Sequence, residues 1–194
     1  MGQIERSTLM SLEQYARERP AFRAGVLHHK KERTVAVGPS ITLMFEDELT
    51  IRYQIQEMLR VEKTFEETGI RDELDAYNPL IPDGSNWKAT MLIEFPEAEE
   101  RKRRLASMRD VEHQVWMQAE GCARVMAIAD EDMERSNAEK TSAVHFLRFE
   151  LPTDVRAALK SGAEFELGID HPAYSTNVAV SEPTRVALVR DLAG

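Results

Sequence analysis

The 194-residue sequence contains one cysteine, Cys122. A lone thiol excludes an intramolecular disulfide, a Cys-x-x-Cys redox pair, haem attachment through Cys-x-x-Cys-His and a self-contained iron–sulfur cluster. Long apolar runs are missing as well. Ala89 to Ile93 stops after five residues at Glu94, and no stretch approaches the roughly 20 needed to span a bilayer. The first residues, Met1-Gly2-Gln3-Ile4-Glu5-Arg6, lack the basic and apolar regions of a secretory signal. Gly2 opens like a myristoylation site, but Ser7 stands one place beyond where that motif wants its hydroxyl. Together these absences point to a cytoplasmic protein with no membrane association.

Positive charge is in short supply. Lys and Arg number 25 against 34 Asp and Glu, a net charge of −9, and such a surface repels phosphate backbones. The two basic clusters, His28-His29-Lys30-Lys31 and Arg101 to Arg104, sit among glutamates such as Glu97, Glu99 and Glu100, with no aromatics between the bases. They read as solvated helix faces rather than a nucleic-acid platform. The phosphate-cradling patterns Gly-x-Gly-x-x-Gly and Gly-x-x-x-x-Gly-Lys-[Ser/Thr] are absent, as are Gly-x-Ser-x-Gly and His-Glu-x-x-His. No nucleotide or haem motif and no familiar catalytic signature is left. Cys122 follows a turn glycine and has only Arg124 as a basic neighbour, so it reads as a resting thiol.

What is present is an ordinary globular composition, 42% hydrophobic and 30% charged, with no repeat and no Pro/Gly/Ser linker. One domain over residues 1–194 is expected. Two helical pieces occupy about 11–33. Ser11 and Gln14 have capping-box spacing at the start of the first, and Pro20 suits the first turn of the second. The strongest helical pattern spans Asp47 to Glu67, with Ile51, Ile55, Met58 and Phe65 on one stripe and Gly69 as the stop. A charged helix follows Pro96, and others are expected after Pro152 and Pro183.

Strands are expected at Thr34–Gly38, Ile41–Phe45, Lys88–Phe95, Val115–Gln118, Ala123–Ala129, Val144–Leu151 and Phe165–Ile169, with one more over Thr176–Val180. Residues 130–141 read as a polar exposed loop. Hairpin-like neighbours predict an α+β fold, a mostly antiparallel sheet of about six or seven short strands with helices packed on it.

Few residues stand out chemically. Glu62 lies within the apolar stripe, where a carboxylate needs a partner or a proton. It reads as a metal ligand or general base, or more plainly as an ion-paired residue or a helix end reaching solvent. His145 shares a strand face with Leu147, Phe149 and Leu151, and is either a hydrogen-bonded core histidine or a pocket residue. Asp110 and His113 have a helical metal-holding spacing, but a ferritin-like centre needs two Glu-x-x-His units. His113 reads more simply as a loop residue. Asp170-His171-Pro172 closes a strand, a place for a site or a turn. The candidate metal ligands are therefore Glu62, His113, His145 and His171, for iron, zinc or manganese. Arg148 and Asp170 are candidates for ligand binding or ion pairing. No catalytic residue is assigned.

Several phrases belong together: Ser11-Leu12-Glu13-Gln14-Tyr15, Tyr53 to Arg60, Ala76-Tyr77-Asn78-Pro79-Leu80-Ile81-Pro82, Lys140 to Phe149 and Asp170-His171-Pro172-Ala173-Tyr174. Over nearly the whole chain the sequence resembles the bacterial domain of unknown function 3501. That family carries no established activity or catalytic residues. Its members are often encoded beside rubrerythrin-like and iron–sulfur proteins, so the resemblance implies an accessory or binding protein supporting such a redox system. The alternatives are a metal-binding protein or metal-dependent enzyme with a site near Glu62 and His145, and a homo-oligomer whose interface uses the ion-paired helices.

Overall fold

The computed structural model of the chain describes residues 2–137 and 139–193. Met1, Ala138 and Gly194 lie outside them, and with them the two ends of the expected domain and one residue of the 130–141 stretch. The strands in chain order are β1 (Thr34–Ala36), β2 (Ile41–Phe45), β3 (Asn86–Ile93), β4 (Val115–Ala119), β5 (Val125–Met126), β6 (Ile128–Ala129), β7 (Val144–Glu150), β8 (Phe165–His171) and β9 (Tyr174–Ala179). They form two antiparallel sheets, β1-β2-β3-β7-β6 and β5-β4-β8-β9. With six helices, this is the expected α+β class, although the strands divide between two sheets rather than one.

Alternation explains the core. On β3 the residues Trp87, Ala89, Met91 and Ile93 are buried, and on β7 His145, Leu147 and Phe149 are. Val115, Met117 and Ala119 of β4 face them with Leu167 and Ile169 of β8, so the inner faces of both sheets share one apolar cluster. Trp87 and Phe165 join the two layers with ring centroids 5.0 Å apart.

The segment expected as a strand over Ala123–Ala129 accounts for the division. Val125–Met126 pairs with β4, and Ile128–Ala129 pairs with β7 of the other sheet. Between them Ala127 still donates its N–H to the Val115 carbonyl at 2.8 Å. Apolar periodicity cannot say which partner a strand takes, so the change of sheet is not visible in it.

On the outer face of the four-stranded sheet Trp116 lies over Gly168, its register partner. A Cβ at residue 168 would stand 2.1 Å from the indole Cζ2. Arg124 covers the other side, its guanidinium carbon 3.7 Å from the ring centroid, and Trp116 is left 2% exposed.

The helices are α1 (Leu12–Lys31), α2 (Glu48–Glu62), α3 (Glu67–Tyr77), α4 (Ala98–Ser107), α5 (Thr153–Lys160) and α6 (Glu182–Val189). Helix α1 runs unbroken through Pro20, in place of the two pieces expected. The Ser11 hydroxyl accepts from Gln14 N–H at 3.2 Å, but the Gln14 amide turns to Glu18, so half of the capping box forms. Helix α2 starts at a complete box in which Asp47 and Thr50 each accept the other's backbone N–H at 2.9 Å. It stops at Lys63, which adopts φ 56 and ψ 36, well before Gly69. The expected 47–67 helix is therefore α2, a left-handed turn and the start of α3. Its buried stripe is Ile51, Ile55 and Leu59, while Phe65 is 75% exposed.

That stripe joins Ile4, Leu9, Ile70, Leu74 and Ile81 in a second, smaller cluster. The seam between α1 and α2 is polar. The Tyr15 hydroxyl donates to Glu57 at 2.6 Å, and Arg19 grips the same carboxylate at 2.7 and 2.8 Å. The Arg19 contacts, overcoming burial, bring the Glu57 carboxyl down to about 2. Near the C-terminus the fully buried Arg33 binds the Asp191 carboxylate and donates to the carbonyls of Phe45 and Glu46 at 3.0 and 3.1 Å.

Candidate functional site

Three acidic and imidazole groups meet where β7 leaves the polar loop. Strand β7 points His145 into the protein with no exposed surface. Asp130 directly follows β6 with φ 51, a left-handed conformation that Asp tolerates better than most residues. Its N–H still pairs with the Phe146 carbonyl at 2.8 Å, and its Oδ1 accepts from Phe146 N–H at 3.0 Å. These two hydrogen bonds to the β7 backbone hold Oδ2 against His145 Nδ1 at 2.6 Å. Glu112 comes from the 3-10 turn Val111–Gln114, which turns it inward to 2% exposure and leaves His113 outside. Glu112 Oε2 stands 3.8 Å from His145 Nε2.

Two hydroxyls complete the cluster. Thr141 Oγ1 lies 2.9 Å from Glu112 Oε2 and 2.8 Å from His145 Nε2, and the Ser136 hydroxyl donates to Glu112 Oε1. Burial pushes the Glu112 carboxyl up, but the Ser136 hydroxyl, its own backbone N–H, the nearby His145 and Thr141 more than reverse this, and the net shift is downward. Arg135 closes the edge of the cluster, bonded to Asp130 at 3.2 Å and to Asp132 at 2.5 Å, with its guanidinium over the Phe146 ring. Outside the cluster lies a cavity of about 280 Å³, lined by Asp110, Glu112, His113, Asp130, Arg135 and Ser136 among others.

Donor and acceptor inventories restrict what this cluster does. The Ser142 carbonyl, 3.1 Å from His145 Nε2, can only accept, so Nε2 carries a proton. The order Thr141–His145–Asp130 copies the hydroxyl–imidazole–carboxylate sequence of nucleophilic enzymes. Here, however, the imidazole has no free lone pair on the hydroxyl side, and the Thr141 proton is directed to Glu112. Thr141 is also fully buried, so the arrangement is not that of a working nucleophile. It is instead a compact donor set in which Glu112, Asp130 and His145 each offer one ligand atom, all within 4.8 Å of one another.

Of the residues expected from the sequence, His145 alone belongs to this set. Glu62 is a correction: it is the last residue of α2 and is exposed, because the chain turns at Lys63 and the buried stripe ends with Leu59. His113 is exposed on the lip of the outer cavity. His171 is buried but committed, with Nε2 donating to the Arg109 carbonyl at 2.9 Å and Nδ1 accepting from Ala173 N–H at 3.1 Å. Arg148 is held by Glu131 at 2.7 Å and by Glu150 at 2.5 Å, and Asp170 by Arg124 at 2.7 Å. Glu112 and Asp130 went unrecognised, since neither a 3-10 turn nor a loop has a periodicity that marks an inward side chain. No helix among the described residues is long and apolar enough to cross a membrane.

The family model described as protein of unknown function (DUF3501) matches residues 3–192. A crystal structure at 1.90 Å of a novel protein of unknown function from Burkholderia pseudomallei K96243 is similar to this chain, with a TM-score of 0.95 and 49% sequence identity, covering 99% of this chain and all of that one. No curated protein matches.

Proposed function

The chain belongs to the DUF3501 family of proteins of unknown function, and on that premise we propose that it binds one divalent transition-metal ion between Glu112 and His145, with Asp130 orienting the imidazole. The observation that carries this reading is the 3.8 Å between Glu112 Oε2 and His145 Nε2, both buried, with Asp130 on the opposite ring nitrogen. Nitrogen and oxygen ligands about 2.0–2.2 Å from one ion span up to roughly 4.3 Å. A carboxylate accepting Nδ1–H is the usual partner of a metal-bound histidine, fixing its tautomer and raising its basicity. The proton on Nε2 has to leave when an ion binds, so binding releases a proton and weakens in acid. Thr141 and Ser142, which now accept that proton, supply further oxygen atoms beside the ion. Mixed carboxylate and imidazole donors suit zinc, iron(II) and manganese(II), and the outer cavity offers a way in. Nothing on the described surface favours the accessory role beside a rubrerythrin-like or iron–sulfur protein over this reading.

Elemental mass spectrometry of the purified, tag-free protein, followed by titration with Zn²⁺, Mn²⁺ and anaerobic Fe²⁺, tests the reading. The expected result is about one ion per chain, lost in Glu112→Gln and His145→Gln and held about ten- to a hundredfold more weakly in Asp130→Asn. A folded wild-type protein that carries no ion and binds none of the three would overturn it.

A further inference from the structure

On the opposite face of β7 from His145, a cavity of about 470 Å³ opens between the strands β3 and β7, the Pro79–Leu80 turn and the loop after β6. Pro79, Leu80, Ala89 and Phe146 give it an apolar wall, and its volume falls in the range of small-molecule sites. Two cations meet at it. Lys88 and Arg148 are direct register partners on neighbouring antiparallel strands, an opposition that is unfavourable unless negative charge intervenes. Arg148 has that charge in Glu131 and Glu150. Lys88 does not: among the described residues no carboxylate lies in ion-pair contact with it, and its one hydrogen bond goes to the Pro79 carbonyl.

The acidic groups nearby are otherwise engaged. Asp132 is bonded to Arg135 at 2.5 and 2.6 Å. Glu46, 6% exposed, receives the hydroxyls of Thr50 and Thr90 at 2.5 Å, and burial pushes its carboxyl upward, toward the neutral form. Burial likewise draws the Lys88 ammonium below its usual range, with Arg148 adding to the effect against the pull of Asp83, Glu131 and Glu150. An ammonium with three donors, one of them spent on a carbonyl, thus borders a partly apolar hollow with no carboxylate among the described residues in ion-pair contact.

We propose that this cavity is a binding site for a small monocarboxylate with an apolar body, whose carboxylate pairs with Lys88 and whose body lies against Leu80 and Phe146. The site is independent of the metal reading, since the strand separates the two. The missing partner of a partly desolvated charge is what the ligand supplies, and Pro79, Leu80 and Phe146 offer its body no charged partner.

Calorimetric titration with butyrate, hexanoate, octanoate and benzoate, with octylamine as the cationic control, tests this on the full chain. Hexanoate, octanoate or benzoate is expected to bind, with octylamine binding at least tenfold more weakly. Lys88→Met should weaken the bound carboxylate by about ten- to a hundredfold, the loss of a charged hydrogen bond, whereas Lys88→Arg stays within a few fold. Leu80→Trp, which fills the hollow and leaves Lys88 in place, should abolish binding. Equal near-ultraviolet circular dichroism of wild type and variants secures the comparison. A wild-type chain that binds none of the four carboxylates, a Lys88→Met variant that binds them unchanged, or preference for the amine would overturn the proposal.

Discussion

His145 Nδ1 lies 2.6 Å from Asp130 Oδ2 while its Nε2 faces Glu112 Oε2 at 3.8 Å, so one buried ring stands between two carboxylates. Both carboxylates are largely shielded from water. Asp130 keeps the Phe146 N–H and Arg135, and Glu112 keeps two hydroxyls. The ring is the group they share.

Removing it should be costly even without a metal. His145→Ala is expected to lose about 3–5 kcal/mol in urea denaturation of the metal-free protein, the usual loss when one partner of a buried charged pair is deleted. Asp130→Asn combined with His145→Gln should cost less than the sum of the single changes, because the pair is removed together. A loss below about 1 kcal/mol in His145→Ala would show that the carboxylates find other partners.

A separate pH dependence is expected at the α1–α2 seam. The folded Glu57 carboxyl titrates at about 2 instead of 4.5, chiefly through Arg19. A group depressed on folding stabilises fully above its unfolded value and loses that contribution as pH falls toward the folded one. Glu57→Gln should therefore cost about 1.5–3 kcal/mol at pH 7. The difference from wild type should shrink steadily below pH 4.5 and be nearly gone at pH 2. A difference that does not change with pH would rule out the carboxylate as its source.

Gly168 is required by shape. Gly168→Ala places a methyl group 2.1 Å from the Trp116 indole, and overpacking of this kind costs about 1–3 kcal/mol. In Trp116→Leu the same glycine change should cost much less. Equal costs in the two backgrounds, read from a double-mutant cycle, would place the constraint in the backbone.

Lys63 is a lysine in a place suited to glycine. Its φ of 56 carries a Cβ penalty of about 1–2 kcal/mol that glycine avoids. Lys63→Gly should raise stability by about 0.5–1 kcal/mol, part of the gain being lost to the extra freedom of glycine in the unfolded chain. A lower melting temperature would show that the Lys63 side chain contributes more than its strain removes.

The same lysine shows why the sequence misled at Glu62. The apolar stripe from Ile51 continues on paper through Met58 to Phe65, and nothing at residue 63 announces a left-handed turn. Glycine and asparagine are the residues that usually mark one. By contrast, the inward face of β7 was legible, because Leu147 and Phe149 fix the phase of the strand and His145 shares it. Glu112 was hidden beside Asp110 and His113, whose helical spacing drew attention to the wrong side chains. In the shorter turn that forms there, the residue between them points inward. Asp130 opened a polar stretch that reads as solvent-facing. Its role depends on β6 joining the first sheet, a pairing between residues distant along the chain that local pattern does not encode.

The passage of the chain through Ala127 fastens the two sheets like a single thread through two pieces of cloth. Two residues on one side are bonded to β4, two on the other to β7, and Asp130 is the knot that follows. Prising the sheets apart means pulling that knot, and hence drawing Asp130 off His145. Whatever tightens the grip of Asp130 on the imidazole therefore also tightens the closure of the sandwich. Slow amide exchange at Ala127 would report on both events at once.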